Sequence, residues 1–277
     1  MFDRPTILNP RCFFPEGPTL HRGGVLFVEY GAHCVTFWDG SANRRWWHRD
    51  GTGPSAIVRY GQGYVITCFD SGEMEAVSME GATLAVHSRS VEGIALEGPN
   101  DCAPDGEGGV FFTCSGTNPP DRIDGRVFHL SAGGRVTHLS DQVQVANGLT
   151  LSGDGKLLLV NESIVGRISA FDVGPGPGLS RRRMWKTLAQ DADFARDSNP
   201  DGLKFGPDGM VWVGLANEGA VVRLDLTGKL TRRVGIPGAE ACPNFCFSAD
   251  GETIFIAAVD DMSAPPWPGK LWAAPVG

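Results

Sequence analysis

The sequence predicts an all-β fold, a six-bladed β-propeller, and three observations predict it. A strand-turn-strand unit recurs along the chain, at its clearest in "SNPDGLKFGPDGMVWVGL" from Ser198 to Leu215. There a polar segment precedes an apolar run, a tight turn at Asp208-Gly209 and a β-branched and aromatic run, which is a strong hairpin signal. Glycine is the second: 38 of 277 residues, about twice the roughly 7 % of average usage, as a turn-rich β protein requires. The third is the want of a convincing amphipathic helix; Ala189–Arg196 offers one or two turns at most.

Near-copies of the unit are "GPNDCAPDGEGGVFFTC" from Gly98, "VANGLTLSGDGKLLLVNES" from Val145 and "CPNFCFSADGETIFIAA" from Cys242. Each sets Asn or Asp at one offset ahead of its turn: Asn100, Asn147, Asp201 and Asn244, with steps of 47, 54 and 43 residues. Periods of ~40–50 residues holding several short strands are the mark of a propeller. Weaker copies begin at Glu16, with a turn at Gly23-Gly24, and near Ser55, with a turn at Gly61-Gln62-Gly63. Six starts, near Glu16, Ser55, Asn100, Asn147, Asp201 and Asn244, fill residues 1–277 as one domain.

Alternation places the strands inside a unit. Unit four reads Leu149–Ser152, Leu157–Asn161, Gly166–Asp172 and Met184–Thr187, with "GPGPGLSRRR" as a long loop. Unit five reads Gly202–Phe205, Met210–Gly214, Ala220–Asp225 and Leu230–Val234. The last strand, Leu271–Pro275, is expected to close the ring on residues near Thr6–Leu8, because an open array would expose strand edges.

A formal charge of −8 argues against binding a phosphate backbone. The basic runs Arg44-Arg45, Arg181 to Arg183 and Arg232-Arg233 read as solvated edges or loops. The N-terminus lacks signal-peptide character, and no apolar run approaches the ~20 residues needed to span a bilayer. The expectation is therefore neither a nucleic-acid nor a membrane partner, and seven cysteines, an odd count without a CxxC pair, predict reduced thiols and a cytoplasmic protein.

In a propeller the innermost strands of all blades start at one mouth of a central channel. Glu16, Asn100, Asn147 and Asp201 are thereby expected to converge, two carboxylates and two carboxamides together. Adjacent carboxylates repel unless a cation lies between them, and oxygen-only donors suit a hard divalent ion. The competing reading is that each residue merely caps its own turn through nearby backbone N–H groups. Cys102, just past Asn100, and Cys242 and Cys246 around Asn244 either narrow the mouth or pack as small hydrophobes. Trp46, Trp47 and Trp267 either line a pocket or pack between blades, and the loops Gly116–Asp124 and Met262–Trp267 are expected to set the substrate.

Taken together, "PEGP" (Pro15–Pro18), "PND" (Pro99–Asp101), "NGLTLSGDG" (Asn147–Gly155) and "PDGLKFGPDGMVWV" (Pro200–Val213) resemble the SMP-30/gluconolactonase/LRE (regucalcin-like) family over nearly the whole chain. The resemblance implies a six-bladed propeller holding one divalent cation, calcium first, with zinc, magnesium, manganese or iron(II) compatible. It implies hydrolysis of a small-molecule lactone or ester. Glu16, Asn147 and Asp201 are implied as metal ligands, Asn100 as a contact to metal or substrate, and Asp201 as the acid/base. Apart from the resemblance, Cys102 is expected beside Asn100 as a substrate contact. One departure stands out: Gly98 occupies the position of the family's substrate-gripping arginine.

The expected chemistry is a cation polarising the carbonyl and Asp201 accepting a proton from water. No GxSxG elbow supports a serine nucleophile. The alternatives are a phosphotriesterase-type hydrolase, a metal-assisted isomerase, or a ligand-binding propeller whose cation only pins the blades.

Overall fold

A computed structural model describes residues 4–117 and 122–277. These residues form six four-stranded antiparallel sheets, which stand around a central axis as the blades of a propeller. Blade one comprises Pro15–His21, Gly24–Glu29, Cys34–Trp38 and Asn43–His48. Blades two to five begin with innermost strands Pro54–Tyr60, Pro99–Pro104, Ala146–Leu151 and Pro200–Phe205, and each runs outward through three further strands. Blade six takes Ala241–Phe247, Thr253–Val259 and Pro268–Pro275 from the end of the chain and its outermost strand, Thr6–Phe13, from the start.

The ring closes where the sequence places the closure. Thr6 faces Ala273, Ile7 faces Trp272 and Asn9 faces Leu271. Other expectations need correction. The long loop of unit four ends earlier than the glycines suggest, because Leu179–Thr187 is one strand carrying Arg181 to Arg183 on an outer edge. The helical turn expected at Ala189–Arg196 is a single 3-10 turn, Leu188–Gln190. No helix of the described residues is long and apolar enough to cross a membrane.

The core lies between the blades. Phe27, Cys12 and Phe255 join blades one and six, Leu26, Ile57 and Tyr64 join one and two, and Trp212, Phe245 and Ile256 join five and six. Burying each large apolar side chain contributes about 1.5–3 kcal/mol, so contacts between sheets fix the angle between blades. Strands in the middle of a blade are covered on both faces and read as continuous hydrophobic runs, such as Val110–Cys114 and Thr253–Val259. Trp47 is buried and donates to Glu75, and Trp46 packs on His21 and Tyr64; both are blade-packing residues. All seven cysteines are buried and free.

Candidate functional site at the hub

Each innermost strand breaks register with its neighbour at the same point. The breaks fall between Glu16 and Thr19, Pro54 and Ala56, Pro99 and Cys102, Ala146 and Leu149, Pro200 and Leu203, and Ala241 and Asn244. A bulge re-aims the side chain it carries, and in blades one to five it turns one residue, Glu16, Ser55, Asn100, Asn147 or Asp201, toward the central cavity. Close approach of the bulged strands requires glycine: a Cβ on Gly148 would stand 2.0 Å from the Asp201 carbonyl oxygen. The Asn-Gly and Asp-Gly steps of the repeat thus have a packing cause beyond turn formation.

Donors on the second strands, or one residue past their ends, hold the bulges in place. Thr67 Oγ1 donates to Asn100 O at 2.6 Å, Thr113 Oγ1 to Asn147 O at 2.8 Å, and Asn161 Nδ2 to Asp201 O at 2.5 Å. Ser115 Oγ and Ser163 Oγ donate to Ala146 O and Pro200 O at 2.8 and 2.7 Å. Side chains of one blade therefore fix the backbone that presents the next blade's hub residue.

The result is a cavity of about 260 Å³ lined by Phe14, Glu16, Tyr30, Ser55, Phe69, Asn100, Asn147 and Asp201. All four residues named from the repeat as oxygen donors reach it. A larger cleft of about 740 Å³ lies elsewhere, against the turns Tyr60–Gly63 and Ala132–Gly134, and brings no comparable donors together.

Cys102 is not among the lining residues. It is 1 % exposed in the apolar core of blades two and three, with Val110, Phe112 and Cys114. The expected substrate contact is thereby corrected: the register shift between Pro99 and Cys102 breaks the alternation and turns this thiol into the interface. Burial pushes it well above the ordinary thiol range. Cys242 and Cys246 are likewise core residues. Trp267 packs against Phe14 and Tyr30, with centroids 5.9 and 5.6 Å apart, behind the lining. Of the loop Gly116–Asp124, residues 118–121 lie outside the described residues.

Sequence reading missed a third carboxylate. Asp101, 1 % exposed, accepts from the Cys102 backbone N–H at 2.8 Å and from Asn244 Nδ2 at 3.2 Å. Its signal was present: "PND" sets a charged residue where the copies at Asn147 and Asp201 have glycine. Capping of neighbouring backbone also occurs, since Glu16 accepts from Gly17 N and Asn244 from Phe245 N. For Glu16, capping and lining the cavity are compatible.

Electrostatics single out the acids. Burial pushes Glu16 well above the ordinary carboxylate range, and the charges of Asp201 and Asp101 push it the same way. Burial, then the Asp101 charge, raises Asp201, while a hydrogen bond from Asn147 opposes the rise. Asp201 Oδ1 is buried and without a hydrogen-bond partner. Among the described residues no group of three or more His, Cys, Asp or Glu side chains is spaced to hold a metal ion. The set at the hub differs in kind, two carboxylates and two carboxamides around one cavity. Buried like charges with an unpartnered oxygen fit a hard cation, which would remove the repulsion and take the free lone pairs.

A family model described as "SMP-30/Gluconolactonase/LRE-like region" matches residues 14–260. This chain belongs to that family. Within the SMP-30/gluconolactonase/LRE-like family, it is 34 % identical to regucalcin of Danio rerio over 169 residues, 57 % of this chain and 55 % of that protein. It is 28 % identical to regucalcin of Xenopus laevis over 254 residues, 88 % of this chain and 82 % of that protein. A solved gluconolactonase from Xanthomonas campestris superposes with a TM-score of 0.76 at 20 % identity, covering 98 % of this chain and 89 % of the other. Gly98, beside the hub, has a φ of +62°, and a Cβ there would stand 3.0 Å from the Phe69 ring.

Proposed function

We propose that this family member is a divalent-cation-dependent hydrolase that opens a small lactone or ester at the hub. The observation that carries the reading is the convergence of Glu16, Asn100, Asn147 and Asp201 on one cavity, with Asp201 Oδ1 unpartnered. Family membership supports the reaction class, and the gluconolactonase fold match is consistent with it.

Glu16, Asn147 and Asp201 would hold the cation, with Asn100 at its edge; oxygen donors favour calcium. When bound, the ion supplies Lewis-acid polarisation of a carbonyl and charge for a developing oxyanion. Asp201 has one buried oxygen without a hydrogen-bond partner, able to take a proton from water. It accepts a proton from water as the water oxygen bonds to the carbonyl carbon. As the ring C–O bond breaks, Asp201 returns that proton to the leaving alkoxide, and the products are a hydroxy acid or an acid and an alcohol. Asn100, which lines the cavity, is held by its Nδ2–Ser115 Oγ bond of 2.9 Å. Seven free buried thiols support a reducing, cytoplasmic setting.

The test is a panel of lactones and aryl esters assayed with chelator and with added calcium, magnesium, manganese or zinc. Hydrolysis lost in chelator and restored by one ion is expected. A cation-dependent rise in melting temperature with no hydrolysis of any panel member would overturn the catalytic reading and leave a scaffold site.

A further inference from the structure

The cavity has two unlike walls. One carries Glu16, Asn100, Asn147 and Asp201; the other is aromatic, made by Phe14, Tyr30 and Phe69. These rings are neither core residues nor free at the surface: each is half-buried. Phe14 and Tyr30 meet edge to face at 5.7 Å and 60°, and Tyr30 and Phe69 at 6.5 Å and 78°. All three line the cavity, so the linked rings form one continuous aromatic surface there.

Three details fix this wall. The Trp267 carbonyl accepts the Phe14 N–H at 2.8 Å, and Phe14 O accepts the Tyr30 N–H at 3.0 Å. Tyr30 Oη donates to Asp70 at 2.9 Å, so its hydroxyl is committed at the rim and its ring serves the cavity. Gly98 offers no side chain there, and Phe69 lies where a Cβ would project. None of the lining residues is Lys, Arg or His. A slot of this kind has no cation to grip an anionic group and few donors for a polyol.

We infer that the hub selects a neutral lactone or ester bearing an aromatic ring, the ring on Phe14, Tyr30 and Phe69 and the carbonyl facing the acids. The inference rests on the proposed hydrolase reading for its substrate class. A volume of about 260 Å³ sits just below the usual range of small-ligand pockets, which suits one ring fused or directly attached to the ester.

The experiment compares 3,4-dihydrocoumarin, a benzo-fused lactone, with D-glucono-δ-lactone, and adds binding of 3,4-dihydro-2(1H)-quinolinone, the hydrolysis-inert lactam of the first. Binding is titrated on chelator-treated and calcium-loaded full-length protein. We expect kcat/KM to favour the benzo-fused lactone, and the lactam to bind with or without the ion. Phe14→Leu and Phe69→Leu should each weaken lactam binding about tenfold, the scale of a lost aromatic pair, and raise KM for the benzo-fused lactone with kcat little changed. Should Phe69→Leu fail to fold, Phe14→Leu at the half-exposed mouth carries the same test. Lactam binding that is sensitive to these variants, without hydrolysis of any lactone, would sustain the aromatic slot and overturn the hydrolase. Preference for gluconolactone, or lactam affinity unmoved by the folded variants, would overturn the slot and leave the hydrolase standing.

Discussion

The Asn244 carboxamide donates to Asp101 Oδ2 at 3.2 Å, tying blade six to blade three across 143 residues of chain. Its own Oδ1 accepts from Phe245 N at 2.9 Å, and it does not line the cavity. Asn244→Ala leaves a buried carboxylate oxygen short of a donor, which costs about 1–3 kcal/mol. Thermal unfolding should show that loss, while kcat on a hydrolysed substrate should stay within a few-fold. A large fall in kcat with stability kept would place Asn244 among the reacting groups.

Asp201→Asn separates charge from shape. The amide keeps the volume but cannot take a proton from water, so kcat should drop by about 10²–10⁴, the range general base catalysis supplies. Removing one of three mutually repelling acids should hold or raise the melting temperature in chelator. Parallel loss of activity and stability would assign the residue to the framework instead.

Glu16→Gln removes a carboxylate that caps Gly17 and lines the cavity. Cation affinity read by titration calorimetry should weaken at least about tenfold, the effect of one lost charge at a buried site. Unchanged affinity would take Glu16 out of the ligand set.

The raised acids predict a pH dependence of opposite sign to ordinary acid denaturation. Asp201 moves from 3.8 to about 8, chiefly through burial and then through the Asp101 charge; Glu16 moves the same way. The folded chain then holds protons that the unfolded chain releases. That contribution to stability is whole below the unfolded carboxylate value and is lost as pH rises through the folded one. In chelator the melting temperature should fall between about pH 4 and pH 8. With saturating calcium the slope should flatten, and calcium should raise the melting temperature most at the alkaline end. A chelated protein whose stability rises across this window would contradict the charge arrangement at the hub.

Why the repeat revealed the hub is now physical. Asn147-Gly148 and Asp201-Gly202 are visible as motifs because the bulged strands allow no Cβ at the second position, so sequence similarity tracks a packing constraint. Asp101 escaped because blade three lacks that glycine, and the step no longer matches its neighbours. The donors Thr113, Ser115, Asn161 and Ser163 escaped because hydroxyls and amides in a strand carry no periodic signal. Their role depends on which blade stands next door. Cys102 was misplaced because a bulge shifts alternation, and only the register at Pro99 and Cys102 tells which side chain turns inward.

Asn161 tests whether those donors position the hub. It is 0 % exposed, its Nδ2 bonds Asp201 O, and its Oδ1 has no partner, so Asn161→Ala removes this one bond. The Asp201 backbone loses an anchor, and displacement on the scale of 1 Å costs up to about 10²-fold in rate. We expect kcat/KM to fall about tenfold or more while calcium still binds, and Asn161→Asp to restore little because it lacks the donor. Activity equal to the parent in Asn161→Ala would show that the bulge holds itself.

The ring closure can be tested by starting the chain at Phe14. Residues Thr6–Phe13 supply the outer strand of blade six, and Cys12, 1 % exposed, packs in the cluster that joins this blade to blade one. Without them Pro268–Pro275 becomes an edge with unpaired N–H and C=O groups, a template for pairing with other chains. Unfolding should start at a markedly lower temperature and lose cooperativity, and sedimentation should show concentration-dependent association. Glu16 begins only two residues beyond the cut, in the strand that packs against blade six. Cation affinity should therefore fall with stability, although no hub side chain has been removed. A truncated chain that stays monomeric and melts as the parent does would mean that blade six needs only three strands, and that Thr6–Phe13 is decoration rather than closure.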